Sequence, residues 1–268
     1  MNKSVEFAVV VTIAVVGATI VGCNSNTAAE PKTLAPTKVA AGGPRNRRDA
    51  GDGMAAIERA AEAKKYLFAL FWKEDDDQTI AMRGVLQKVM SEVTDRADAV
   101  EINVALPSER AIVDKFDLDR APVPLILALA PNGAVIRGFP TKVDEQSLLK
   151  AFVTPCTAEC MKSLQENKLV FLCVQNSATT SNDAAMEGVR QFKEDERFAQ
   201  VTEILVIDPT DVAEGGFLKN FQIDPKTKEA VTVFLAPPSV PIGTYEGTTR
   251  KEELVAAFQK AVASCCSG

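Results

Sequence analysis

The stretch YLFALFWKEDDDQTIAM, Tyr66 to Met82, carries an unbroken apolar run into a short acidic loop and then into a helix-like pattern. YLFALFW is bounded by charge on both sides, the profile of a strand buried on both faces. Beyond the loop, Met82, Val85, Leu86, Val89 and Val93 recur at i, i+3, i+4 and i+7, the stripe of an amphipathic helix. Asp76 stands where that helix begins, and a carboxylate there suits the orphan backbone N–H groups of a first turn.

Working outward, MAAIERAAEAKK predicts a helix with Ala56, Ile57, Ala60 and Ala61 on one stripe, and AVEINVA predicts a second strand. SERAIVDKFDL predicts a short helix. PLILALAP and AVIRGF predict a hairpin turning at Asn132-Gly133, a strong turn pair. DEQSLLKAFV closes the unit as a helix, giving the order α-β-α-β-α-β-β-α. The second half repeats it: CMKSLQENKLVFLCVQ echoes IERAAEAKKYLFALFW, VTEILVID echoes AVEINVA, VTVFLAPPS echoes PLILALAPN, and KEELVAAF echoes EQSLLKAF.

This order resembles the thioredoxin fold, a central mixed sheet covered on both faces by helices. Specific residues carry the likeness: FWKEDDDQTIAM stands where that family has Phe-Trp-Ala-x-Trp-Cys-x-x-Cys-x-x-Met, and APVPLILALAPNG stands at its Ile-Pro-Thr segment. The fold class implied is α/β, with two tandem thioredoxin-like domains. The expected division is a signal peptide over 1–22, a flexible tether over 23–53, domain 1 over 54–154, domain 2 over 155–262 and a cysteine-containing tail over 263–268. The resemblance places Asp76 and Thr79 at the two positions of the family's dithiol and Pro124 at its cis-proline. In domain 2 it puts the cis-proline position at Val231, where an ordinary trans peptide is expected because a non-proline cis bond costs about 3 kcal/mol. Neither domain has a Cys-x-x-Cys. The acidic loop could alternatively gather a cation with Glu74, Asp75, Asp76 and Asp77, but it lacks the spaced ligands and turn glycine of a dedicated calcium loop.

Cys173, within LVFLCV, reads as a buried structural thiol. Cys156, Cys160, Cys265 and Cys266 remain as disulfide or thiol candidates. Cys156 and Cys160 share a helix face but not a disulfide's geometry, and Cys265 with Cys266 could close only a strained ring. Cross-pairs between the two clusters, a four-thiolate metal site, redox exchange and idle thiols all stay open.

MNKSVEFAVVVTIAVVGATIVGC begins the chain with Lys3 and an apolar stretch from Phe7 to Val21, too short for a comfortable membrane span and apt for an export signal. Its end, Ile20-Val21-Gly22-Cys23, resembles the lipobox of bacterial lipoproteins, which implies cleavage before Cys23 and lipidation of its sulfur. NSNTAAEPKTLAPTKVAAGGPRNRRDAGDG follows, small, polar and proline-dotted, the composition of a tether.

Among 268 residues there is no histidine, which removes Ser-His-Asp and Cys-His catalysis and His-liganded zinc. A net charge of −6 argues against nucleic acid as a partner. The expectation is therefore an exported, lipid-anchored cell-envelope protein, on the periplasmic face if the cell has two membranes, binding or scaffolding another envelope protein or peptide without a cofactor. Trp72, Asp75, Asp77 and Val123 are the candidate binding surface. The alternatives are a thiol-disulfide oxidoreductase or redox sensor, or a metal carrier, built on Cys156, Cys160, Cys265 and Cys266.

Overall fold

The computed structural model describes residues 52–265, with side chains through 263. The signal peptide, the tether as far as residue 51, Cys23 and Cys266 lie outside the described residues, as does the side chain of Cys265. Domain 1 contains α1 (Asp52–Glu62), β1 (Tyr66–Trp72), α2 (Asp77–Glu92), β2 (Ala97–Asn103), α3 (Arg110–Lys115), β3 (Leu125–Leu129), β4 (Val135–Pro140) and α4 (Glu145–Leu149). Domain 2 repeats the series with α5 (Pro155–Gln165), β5 (Leu169–Val174), α6 (Asn182–Glu194), β6 (Thr202–Ile207), α7 (Gly215–Asn220), β7 (Val231–Ala236), β8 (Val240–Glu246) and α8 (Lys251–Cys265).

Each domain has one four-stranded sheet, ordered β2-β1-β3-β4 and β6-β5-β7-β8. The first two strands of each order run parallel, and the other pairings are antiparallel. The molecule is two tandem thioredoxin-like domains. YLFALFW is apolar throughout because β1 is central and feeds both faces. Leu67, Ala69 and Phe71 pack with Ala56, Ala60 and Ile112 beneath α1 and α3, while Phe68 and Leu70 pack with Met82, Leu86, Val89 and Leu148 beneath α2 and α4. In domain 2, α5 and α7 cover the face of Val170, Leu172 and Val174, and α6 and α8 cover the face of Phe171 and Cys173.

Several expectations shift at the element ends. α1 begins at Asp52, ahead of the boundary placed at Met54, because Glu109 supplies its N-terminal cap. Its buried stripe includes Gly53, Ala56 and Ala60, whereas Ala61 is exposed. At the other end, α8 runs on to Cys265, into the stretch expected to be tail.

The domains meet where α5 lies against the β3–β4 hairpin. Ala130, Ala134 and Ala158 are buried there, with Tyr66, Ile136, Val153 and Met161 packed around them. The side-chain amide of Gln165 pairs with the edge strand like a stretch of backbone: it accepts from Val135 N–H at 2.9 Å and donates to Val135 C=O at 2.7 Å. That pairing engages an otherwise open edge of the sheet.

Candidate peptide-binding edge

The C-terminal ends of β1 and β2 and the N-terminal end of β3 lie together, because Trp72 is level with Asn103 and Phe71 with Leu125. The acidic loop, the turn after β2 and the segment Ala121–Pro124 therefore converge at one end of domain 1. Asp76 caps α2: its carboxylate accepts the backbone N–H of Thr79 at 2.8 Å. Those bonds to Thr79 hold the Asp76 carboxyl below its usual range. Thr79 is buried beneath the cap. The two positions that the resemblance sets against the family's dithiol thus bond to each other, carboxylate to backbone.

Asp75 is not a free carboxylate. Arg83 donates to Asp75 Oδ1 at 2.7 Å and to Glu101 Oε2 at 2.7 Å, with its guanidinium carbon 5.6 Å from the Trp72 ring centre. Trp72 itself is half-buried against the α2 face of the core, and its buried indole N–H has no hydrogen-bond partner among the described residues. The tryptophan thus packs the strand end more than it presents a surface. Asp77 is exposed in the first turn of α2, and no group of three or more acidic or thiol side chains suited to a metal ion occurs among the described residues. Arg83 went unnoticed in the sequence because its two acidic partners come from different elements, a loop and a strand.

The Val123–Pro124 bond is cis. Val123 is half-buried, packing on the α1 face. Among the described residues its backbone N–H and C=O take no hydrogen bond, whereas the next carbonyl, of Pro124, accepts from Thr141 N–H at 2.7 Å. Domain 1 thus leaves the donor and the acceptor of Val123 unpaired at its sheet end. Exposed Pro122 precedes it, and exposed Ile80 and Leu106 lie on the loops and helix at the same end.

Domain 2 corrects the sequence reading. Leu125 pairs with Phe71 and Pro140, and its counterpart Val231 pairs with Val174 and Glu246. Likewise Pro124 C=O accepts from Thr141 N–H, as Ala230 C=O accepts from Gly247 N–H at 2.8 Å. The residue matching Pro124 is therefore Ala230, one place before Val231. The peptides leading into Ala230 and Val231 are both trans, and the second cis bond of the described chain is Pro237–Pro238, in the β7–β8 hairpin.

The cysteines form no bond with one another among the described residues. Cys156, Cys160 and Cys173 are free thiols. Burial pushes Cys156 up to about 11, with Glu214 and Glu159 adding to it, and pushes Cys160 up to about 12. Burial likewise raises Cys173 to about 12. Cys160 sits in the core under α5, while α8, which carries Cys265, packs on the opposite face of the same sheet. The cross-pairs that the sequence left open involve Cys266 and the Cys265 side chain, which lie outside the described residues.

No protein-family profile and no curated protein sequence matches the chain. Among solved structures it is similar to the first two thioredoxin domains of Saccharomyces cerevisiae Eps1p, at 11% identity and a TM-score of 0.30 over 80% of this chain and 98% of that one. It is also similar to a disulphide isomerase from Xylella fastidiosa Temecula1, at 15% identity and a TM-score of 0.30 over 41% of this chain and 95% of that one. A third similar structure is human ERp44, at 8% identity and a TM-score of 0.34 over 85% of this chain and 60% of that one.

Proposed function

We propose that this is a lipid-anchored cell-envelope protein that holds an extended segment of another envelope protein at the Val123–Pro124 edge of domain 1, without dithiol chemistry. The observation that carries this reading is the unpaired backbone of Val123 at the sheet end where Asp76 caps α2. An extended chain recognises such an edge through main-chain hydrogen bonds. The carboxylate at the helix entrance enjoys the field that would stabilise a thiolate but cannot exchange with a disulfide. Membrane attachment rests on Cys23 at the end of the export signal.

Raised thiols count against the oxidoreductase alternative. A nucleophilic cysteine needs a depressed pKa, and Cys156 and Cys160 are shifted the other way.

A photo-crosslinking side chain at Pro122, with a control at Val240 in domain 2, tests the binding edge in intact envelopes. Discrete adducts from Pro122 and none from Val240 are expected, and equal labelling from both positions refutes the edge. Cys23→Ser is expected to abolish incorporation of labelled palmitate and to leave the signal segment uncleaved, and undiminished labelling would refute the anchor.

A further inference from the structure

Resting on that reading, we propose that domain 2 is closed to the kind of segment domain 1 accepts, because its own Thr180 already occupies the corresponding edge. Of these two matched edges, only that of domain 1 is then open to an outside segment.

The loop entering the second helix of each domain differs in length. In domain 1 it runs from Lys73 to Asp76, and in domain 2 from Gln175 to Ser181. The longer loop crosses to the strand edge, where Thr180 forms a parallel β-bridge with Glu229. Thr180 N–H donates to Lys228 C=O at 2.8 Å, Ala230 N–H donates to Thr180 C=O at 3.0 Å, and the Thr180 hydroxyl donates to Lys228 C=O at 3.1 Å. Ser181 then turns the chain into α6 from the left-handed region, with φ 64°.

The sequence change that permits this closure is at the matched position. Pro124 has no N–H to give, whereas Ala230 has one and spends it on Thr180. Polar bonds hold the loop in place. Asn176 N–H donates to Thr179 Oγ1 at 2.9 Å, Thr179 Oγ1 donates to Asn182 Oδ1 at 2.7 Å, and Asn182 Nδ2 donates to Asn176 C=O at 2.7 Å. Asn176 Nδ2 reaches on to Asp208 Oδ1 at 2.7 Å. An outside segment would compete with an intramolecular occupant at an effective concentration of about millimolar or more.

Residue-resolved amide hydrogen exchange tests this, first on the protein alone and then with reduced, carboxymethylated α-lactalbumin as a permanently unfolded probe. Alone, Ala230 and Thr180 amides are expected to exchange at least about tenfold more slowly than Val123. Thr180→Pro, which removes the N–H donated to Lys228, is expected to bring Ala230 to within about threefold of Val123 while Phe171 in β5 stays protected. Thr179→Ala/Asn182→Ala, which cuts the polar bonds that hold the loop against the edge, serves if the proline variant loses protection at Phe171. With the probe, wild type gains protection at Val123 and none at Ala230, and the variant gains it at both.

Equal exchange at Ala230 and Val123 in the wild type, or probe-dependent protection of Ala230 in the wild type, overturns the proposal. So does a variant whose exposed Ala230 amide the probe leaves unprotected while protecting Val123. If the probe protects neither residue in either protein, the peptide-binding reading falls, while slow Ala230 exchange lost in the variant still establishes the closure.

Discussion

Glu109 closes the N-terminus of α1 at Gly53: its carboxylate accepts the Gly53 N–H at 3.1 Å and the Asp52 N–H at 2.9 Å, though the residue is only 5% exposed. Glu214 holds the matching place in domain 2, buried after β6, and accepts the Thr154 hydroxyl at 2.8 Å. In both domains a turn after the second strand thus sends a carboxylate back to the first helix. Glu109→Ala leaves two amide donors beside a buried void and should lower the unfolding free energy by about 1–3 kcal/mol. Glu214→Ala should cost less, because Thr154 still caps α5 by accepting Thr157 N–H at 3.2 Å. Urea denaturation midpoints of the two variants check the order.

Gly188 and Thr249 bring α6 tightly against the segment entering α8. A Cβ at 188 would overlap the Thr249 carbonyl, which is backbone and cannot swing aside, while the Thr249 hydroxyl is tied to Ala185 C=O at 2.6 Å. Glycine-to-alanine in a helix interior ordinarily gains about 1 kcal/mol. Here the overlap reverses that sign, and Gly188→Ala should destabilise by about 1–3 kcal/mol. Gly84, in the matching helix of domain 1, meets nothing within 4 Å, so Gly84→Ala should be neutral or stabilising. Thermal unfolding of the pair separates overlap from propensity.

The central strands were legible in the sequence because a strand buried on both faces advertises itself as YLFALFW or LVFLCV between charges. What the sequence could not show depends on pairing. Matching the halves by apolar pattern set Val231 against Pro124, and the ladder moves the match to Ala230, since hydrophobic echoes tolerate a slip of one residue and hydrogen-bond registers do not. Thr180 on Lys228 and Ala230 was invisible for the same reason, being a backbone contact between distant segments with no side-chain signature. Glu109 was invisible as a cap because its helix lies over fifty residues upstream, beyond any local capping pattern.

Asp76 and Thr79 already share the geometry of a helix entrance, cap oxygen to backbone N–H at 2.8 Å. Converting both to cysteine in Asp76→Cys/Thr79→Cys puts a thiol where the helix end favours thiolate, with a second thiol in the buried place of Thr79. The double variant should gain dithiothreitol-driven insulin reduction that the wild type lacks. A wild type that reduces insulin as fast as the variant would contradict the non-catalytic reading.

Cys156, pushed up to about 11, and Cys160 and Cys173, pushed up to about 12, should alkylate slowly in the native protein. A thiol at 11 is ionised to only about one part in a thousand at pH 8. The folded values lie above the ordinary 9.0, so the unfolded chain loses these protons first as pH rises. Their contribution to stability is whole below about pH 9 and declines between there and about pH 12. Site-resolved mass spectrometry after iodoacetamide at pH 8 should find all three residues modified at least about tenfold more slowly than in urea.

Asp195 joins the end of α6 to the start of α8. Its carboxylate accepts both Arg197 Nε and Arg197 Nη2 at 2.9 Å, and lies 2.9 Å from Lys251 Nζ. Arg197 first and Lys251 second hold the Asp195 carboxyl far below its usual range. A depressed carboxylate lends stability that is complete above its ordinary value of 3.8 and fades as pH falls toward the folded value. Asp195→Asn keeps the shape but loses the charge, leaving the Arg197 and Lys251 cations opposite a neutral amide. The variant should therefore melt lower than wild type at pH 7, and the difference should shrink steadily below about pH 4, where the wild-type carboxylate begins to lose its advantage. Melting temperatures recorded from pH 7 down to pH 2 check this, and a gap that stays constant across the range would show that the aspartate acts through packing and not through charge.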